Sequence, residues 1–202
     1  MGKVELNKQQ KRETLLNTSF ELFTTKGLSK TSISDIVERA GVAKGTFYLY
    51  FKDKLDIRDR LILHKAGELF TAAYKALQET GIADLPDKLI FMTDNILDAL
   101  AANKPLLTLL YKDLSWGVFK RVLTETPGES EVDFADVYRR MVEESGMVLR
   151  EPEVMLFMIV ELVGSTGYSA IIYGDPVDVD SLKPHLAQVI RDIVKDHTVT
   201  AE

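Results

Sequence analysis

At 202 residues with a formal net charge of −6, the chain can bury a large core, since about 150 residues already bury roughly 68–70% of their unfolded surface. It holds no cysteine, which excludes a disulfide framework, a cysteine zinc finger and thiol chemistry. The polar, charged N-terminus carries no secretion signal, and the longest apolar run, Val154 to Val163, is interrupted by Glu161 and falls short of the ~20 residues of a membrane span, so the expectation is a cytoplasmic protein with no membrane partner.

The first predicted helix runs from about Lys8 to Lys26. Leu16, Phe20 and Phe23 form its apolar stripe, flanked by Leu15, Ser19 and Leu22, and Gly27 ends it. The segment from Thr31 to Lys54 is more specific. Ser32-Ile33-Ser34-Asp35 fits a capping box, in which the Ser32 hydroxyl accepts from the third helical N–H and Asp35 reaches back. Ile33, Ile36, Val37 and Ala40 then recur at i, i+3, i+4 and i+7, one apolar helical face. Gly41 suits a left-handed stop because it lacks a Cβ, and Val42 can plug the core beneath the turn. A further short helix, about Lys44 to Phe51, sets Phe47 and Phe51 on one face. Gly45, Tyr48 and Leu49 take the opposite side and Thr46 a flank. Tyr50 falls nearer the Phe47/Phe51 face, between core and surface. Ala43 cannot cap this helix, a loss of about 1 kcal/mol that leaves its end looser in the free protein or tightened only on DNA. Three helices with a tight second turn make a helix-turn-helix domain. The alternative at this level is a plain helical hairpin with no DNA role.

Charge favours DNA. The first 55 residues contain ten Lys or Arg and six Asp or Glu, a net of +4, leaving a net of −10 for the remainder. A locally positive surface attracts phosphate and releases counterions, while an acidic body discourages indiscriminate binding by the rest of the molecule.

The strings LLNTSFELFTTKGLSKTS and ISDIVERAGVAKGTFYLYFKDKLDI, with a Gly turn, Lys-Gly-Thr, an aromatic-rich helix and then Phe-Lys-Asp-Lys, resemble the N-terminal domain of the tetracycline-repressor (TetR/AcrR) family of bacterial transcription regulators. The resemblance covers about the first quarter of the chain. It implies that the helix at Lys44 enters the major groove, with Lys44, Gly45, Thr46, Tyr48, Leu49 and Tyr50 as candidate contacts. It also implies that Ser32 and Ser34 meet phosphate or a base edge, and that Lys54 meets phosphate. The chemistry of these residue types agrees. Lys44 can donate to guanine O6 or N7 or neutralise a phosphate. Gly45 lets the backbone approach the groove wall. The hydroxyls of Thr46, Tyr48 and Tyr50 suit phosphate oxygens, and Leu49 offers only apolar contact, for example to a thymine methyl. The plainer reading of Lys54 is a solvated charge.

Beyond Lys54 the pattern stays helical. A long helix is predicted from about Lys54 to Glu79. Asp84-Leu85-Pro86 opens another that ends near Asn103, and Pro105 restarts the chain into Leu106–Tyr111. A segment around Ser115 to Leu123 carries Trp116 and Phe119, followed by a turn-rich acidic loop at 124–131. Helices follow at about 132–145, 151–173 and 179–197. There is no β pattern and no repeat of 20–50 residues. The fold class expected is all-α: a three-helix DNA-binding domain over residues 1–53 and a helical ligand-binding and dimerisation domain over 54–202.

The 151–173 segment is apolar nearly all round, with small Gly164, Ser165 and Gly167 permitting close helix approach. The 179–197 segment shows a one-sided stripe of Leu182, Leu186, Val189, Ile190, Ile193 and Val194. Two such helices from each of two subunits can form a four-helix bundle, which is also how the resembled family dimerises. A monomeric core closed by both helices is the alternative. The resemblance further implies a small organic effector held among the C-terminal helices. Asn95, Tyr111, Trp116, Glu161, Ser165 and Tyr168 are candidates to line that pocket, with Met92, Met155 and Met158 letting it adapt. Glu161 either counters a cationic ligand or faces solvent at the bundle rim, and Trp116 is equally suited to ordinary core. His64, His185 and His197 lack metal-ligand spacing. No phosphate loop, nucleophile elbow or metalloprotease motif occurs, so no enzyme activity, cofactor or metal is expected. The reading is a homodimeric, ligand-responsive regulator that binds a palindromic duplex operator, a repressor by family habit; the alternative is a helical adaptor for protein partners.

Overall fold

The computed structural model describes residues 3–113 and 134–199. The helix expected around Ser115–Leu123, with Trp116 and Phe119, the acidic loop at 124–131 and the first two residues of the segment expected at 132–145 lie outside the described residues. Within them the fold is all-α: α1 (Lys3–Thr25), α2 (Ile33–Arg39), α3 (Lys44–Tyr50), α4 (Lys54–Gln78), α5 (Leu85–Ala102), α6 (Lys104–Asp113), α7 (Phe134–Ser145), α8 (Pro152–Ile172) and α9 (Val179–His197). Among the described residues no strand occurs, and an isolated antiparallel bridge pairs Leu149 with Thr198. The first helix begins about five residues earlier than the sequence reading places it, and Leu6 to Lys11 are exposed along it. Two compact units divide at His64 and Lys65, inside α4, whereas the sequence reading draws its boundary at the start of that helix.

In the first unit α2 and α3 are seven residues each, well below the ~12–15 residues at which isolated helices become even marginally stable. Tertiary packing must hold them. Leu15 and Leu16 of α1, Ile36 of α2, Phe47 of α3, and Phe51, Ile57 and Leu61 around the start of α4 are all essentially fully buried. Gly41 adopts φ +66, the left-handed stop expected of it, and the Val42 N–H donates to the Val37 carbonyl at 3.0 Å to close the turn.

In the second unit α5 is gripped by α8 and α9. Leu85 and Leu89 of α5, Val137 of α7, Met155 and Ile159 of α8, and Ile190 of α9 share one core cluster. Exposed or half-exposed ion pairs trim its surface: Arg191 with Asp87 at 2.6 Å, Lys183 with Asp98, and Lys88 with Glu144 at 3.2 Å. The α9 stripe differs from expectation. Leu186, Ile190 and Val194 are buried within their own subunit, and Val189 is exposed. These three residues of the expected seam stripe close the subunit core, since α9 packs against both α5 and α8. α8 has the length and composition of a membrane-crossing helix over its whole span, longer than the run to Val163 read from the sequence. It packs against α5, α6 and α9, burying Met155, Leu156 and Ile159, while Val154, Phe157 and Met158 face outward.

Candidate nucleic-acid interface and internal cavity

The candidate interface is built by caps and by one helical period. At the start of α2 the Asp35 N–H donates to Ser32 Oγ at 3.1 Å, and Asp35 Oδ2 accepts from the Ser32 N–H at 2.7 Å and from the Ser32 hydroxyl at 2.8 Å. The expected capping box is present. Lys26 closes on the same carboxylate at 2.9 Å. That ammonium first, then the Ser32 N–H and hydroxyl, hold the Asp35 carboxyl well below the usual carboxylate range. The Ser32 proton is therefore engaged within the cap, and Ser34, exposed two residues on, is the freer of the two serines.

In α3, Phe47 and Phe51 anchor the helix from below, 0% and 1% exposed, with ring centroids 5.5 Å apart. Opposite them, Lys44 and Gly45 are exposed, and Tyr48 and Leu49 stand 53% and 79% exposed. Thr46 is half-buried on the flank. Tyr50 is half-buried, its ring 6.3 Å from that of Phe51, so it leans on the core edge. Ala43 occupies the N-cap with no side-chain bond; the Thr46 N–H is met by the Ala43 carbonyl at 2.8 Å.

Lys54 differs most from the simple picture of a phosphate-seeking cation. Its Nζ donates to the carbonyls of Leu28 and Thr31, both at 2.9 Å, and its side chain is half-buried. The preceding Asp53 caps α4, its Oδ1 accepting from the Leu55 N–H at 2.7 Å and the Asp56 N–H at 2.9 Å. Neither backbone partner of Lys54 is adjacent in sequence, so no local pattern could have revealed them.

The second unit encloses a cavity of about 510 Å³ bounded by α4, α5, α6 and α8. Of the six residues nominated from the sequence, Tyr111, Glu161, Ser165 and Tyr168 line it. Tyr111 and Tyr168 stack face to face, centroids 3.8 Å apart and planes 13° from parallel. A hydrogen bond with Tyr173 raises the Tyr168 phenol above its ordinary value. Asn95 is a correction: it is not part of the lining, because its Nδ2 turns back to donate to the Phe91 carbonyl of its own helix at 2.9 Å. Trp116 lies outside the described residues. Of the three methionines, Met92 lines the cavity, Met155 is buried in the core and Met158 points outward. Sequence reasoning missed Thr93, Phe70 and Leu107, which looked like ordinary stripe residues. Among the described lining residues Glu161 alone carries a formal charge, and it is exposed at the rim.

Comparison with known proteins bears on the first unit most directly. Residues 15–61 match the profile described as bacterial regulatory proteins, tetR family. The HTH-type transcriptional regulator YvdT of Bacillus subtilis is 57% identical over 44 residues, covering 22% of this chain and 23% of that one. The fatty acid metabolism regulator protein of the same organism is 33% identical over 76 residues, 38% of this chain and 39% of its own. The matched stretch thus spans less than half the length of either relative. Over the whole fold, the crystal structure of the transcriptional regulator FadR from Bacillus subtilis in complex with stearoyl-CoA superposes with a TM-score of 0.66 at 20% identity, covering 88% of this chain and 96% of that one, a likeness of fold.

Proposed function

We propose, on the match of residues 15–61 to the profile of bacterial regulatory proteins, tetR family, that this chain is a ligand-responsive transcription regulator. In this reading it binds a palindromic duplex operator as a homodimer, represses from that site, and leaves it when a small organic effector enters the cavity. The observation that carries the reading is α3, where exposed Lys44, Gly45, Tyr48 and Leu49 stand over the buried Phe47 and Phe51. A helix with aromatic, basic and apolar groups outward and a rigid anchor beneath suits the major groove, whose edges offer acceptors and thymine methyls.

Two-fold symmetry follows from the operator, since each half-site meets the same helix. We assign the dimer seam to the outward stripe of α8, where Val154, Phe157 and Met158 are exposed, with α9 beside it. An apolar stripe of this kind gains most by being covered.

The effector must bind the operator-competent and operator-incompetent states unequally, because equal affinity shifts nothing. A mostly apolar cavity of about 510 Å³ with a few hydroxyls suits an acyl chain or an aromatic molecule of similar bulk. Stearoyl-CoA in the Bacillus subtilis FadR structure is a precedent for the former.

The test is selection of bound duplexes from a random DNA library, followed by sequencing. An enriched palindrome that disappears in a Lys44→Ala/Tyr48→Ala variant is expected. No enrichment at low salt, with protein refolded to remove any co-purified ligand, would overturn the reading and promote a helical adaptor in its place.

A further inference from the structure

The cavity of the second unit is apolar along most of its wall and carries its polar side chains at two places. The first is one edge of α8. Glu161, Ser165 and Tyr168 stand at i, i+4 and i+7, on one face of that helix, and all three line the cavity while Glu161 and Ser165 remain exposed. Among the described residues no hydrogen bond or ion pair engages the Glu161 carboxylate. Gly164 lies beside it, one turn on, and a Cβ added there would meet no other element within 4 Å, so the helix leaves open space next to the charge. Tyr111, stacked on Tyr168, brings a second ring to the same edge. The second place is deeper. Thr93 of α5 is nine-tenths buried, and its hydroxyl, which no hydrogen bond engages among the described residues, is reached from the cavity. A buried hydroxyl left dry and unpaired is costly, so this one marks where a polar atom of a ligand belongs.

We propose that the ligand of this cavity is a lipophilic monocation: an apolar body that sets an ammonium against Glu161 at the rim and a neutral polar atom, such as a hydroxyl oxygen, against Thr93 inside. The proposal rests on the reading of the cavity as an effector site and names the charge its ligand carries. A carboxylate beside an apolar wall attracts a cation and repels an anion, and the wall weakens the screening that water would give. Tyrosine ring faces favour a cation as well, so the two aromatic groups at this edge act in the same sense as Glu161. Among the described lining residues there is no Lys or Arg to meet a carboxylate or a phosphate. A fatty acid or an acyl-CoA would therefore bring its negative charge to a rim of the same sign. The Thr93 hydroxyl adds a second criterion, since a ligand with no polar atom at that depth leaves it unpaired.

The experiment is calorimetric titration of the full-length protein with three probes built on one ten-carbon chain: the ω-amino alcohol, the plain alkylamine and the ω-hydroxy acid. At neutral pH the first two are cations and the third an anion. The amino alcohol binds tightest, and the hydroxy acid binds about tenfold more weakly, the scale of reversing the sign of one partly exposed charge pair. Glu161→Gln, a change at an exposed position, lowers that ratio to about threefold or less. Thr93→Val, which keeps the shape and removes the hydroxyl, weakens the amino alcohol about fivefold, to the level of the plain amine, and leaves the plain amine unchanged. A hydroxy acid that binds as tightly as the amino alcohol overturns the proposal. So does a preference that survives Glu161→Gln intact, a Thr93→Val variant that weakens both amines equally, or a protein that binds none of the three. The titration involves no DNA, so its failure is distinguishable from a failure to select a duplex, which tests the regulator reading.

Discussion

Two helices, α3 and α8, resolve the same problem of sidedness in opposite ways. α3 is seven residues long and has one inner and one outer face: Phe47 is buried, while Tyr48 and Leu49 point to solvent. α8 is 21 residues long and apolar on nearly every side. It shares its surface among core, cavity and an exposed stripe of Val154, Phe157 and Met158. A short helix held by two aromatic anchors has a rigid, pre-oriented outer face. A long apolar helix facing three environments gives adaptable surfaces whose roles depend on what covers them. The difference suits the proposed function, in which DNA contacts need fixed geometry and an effector site needs volume.

The comparison is broken most severely by removing the anchor of α3. Phe47→Ala should cost about 3–5 kcal/mol and unfold the first unit. Thermal melting followed by circular dichroism should then show a separate low-temperature transition while the second unit melts as before. A single unshifted transition would mean that α3 does not depend on Phe47. On the side of α8, Met158→Asp should weaken the dimer by about 2 kcal/mol, the scale of an interface hot spot, read as a concentration-dependent monomer in sedimentation velocity. The cavity should keep its shape, because Met158 is not among its lining residues. Wild-type self-association in that variant would move the seam elsewhere.

A finer cut separates the two faces of α3. Tyr48→Ala should lower affinity for a selected operator by roughly 1–3 kcal/mol with little change in melting temperature, the reverse of the Phe47 outcome. Equal losses of stability and binding would show that Tyr48 supports the fold, not the contact. The smallest expected effect sharpens the contrast between the capped α2 and the uncapped α3. Ala43→Ser supplies the missing N-cap and should stabilise the first unit by about 0.5–1 kcal/mol, detected as a modest rise in its melting temperature.

Much of this architecture was legible beforehand, for reasons that can be named. The α2 cap is encoded within four residues, so Ser32 and Asp35 announce their bonds. The sidedness of α3 follows from a 3.6-residue period acting on Phe47, Phe51, Tyr48 and Leu49. Gly41 marks a turn and Pro105 the first turn of α6, and the backbone demands of both are local. Asn95 was misjudged because a polar residue on an apolar helix can turn to its own backbone as readily as into a cavity, and only the packed neighbours decide which. The α9 stripe was read as a seam because periodicity reveals that a face is buried without revealing against what.

By itself, then, the sequence determined most of the described helices, the inner and outer faces of α3 and the likeness of the N-terminal strings to the tetR profile. All of these rest on interactions between residues a few positions apart. The tertiary structure alone decided the rest: that Lys54 spans 23 and 26 residues to reach the carbonyls of Thr31 and Leu28, that Leu186, Ile190 and Val194 close their own subunit, and that Tyr111 and Tyr168, 57 residues apart, meet as a stacked pair at a cavity of about 510 Å³. Contacts of that range are set by how helices pack against one another, and packing depends on the summed shape of many side chains, which no local pattern carries.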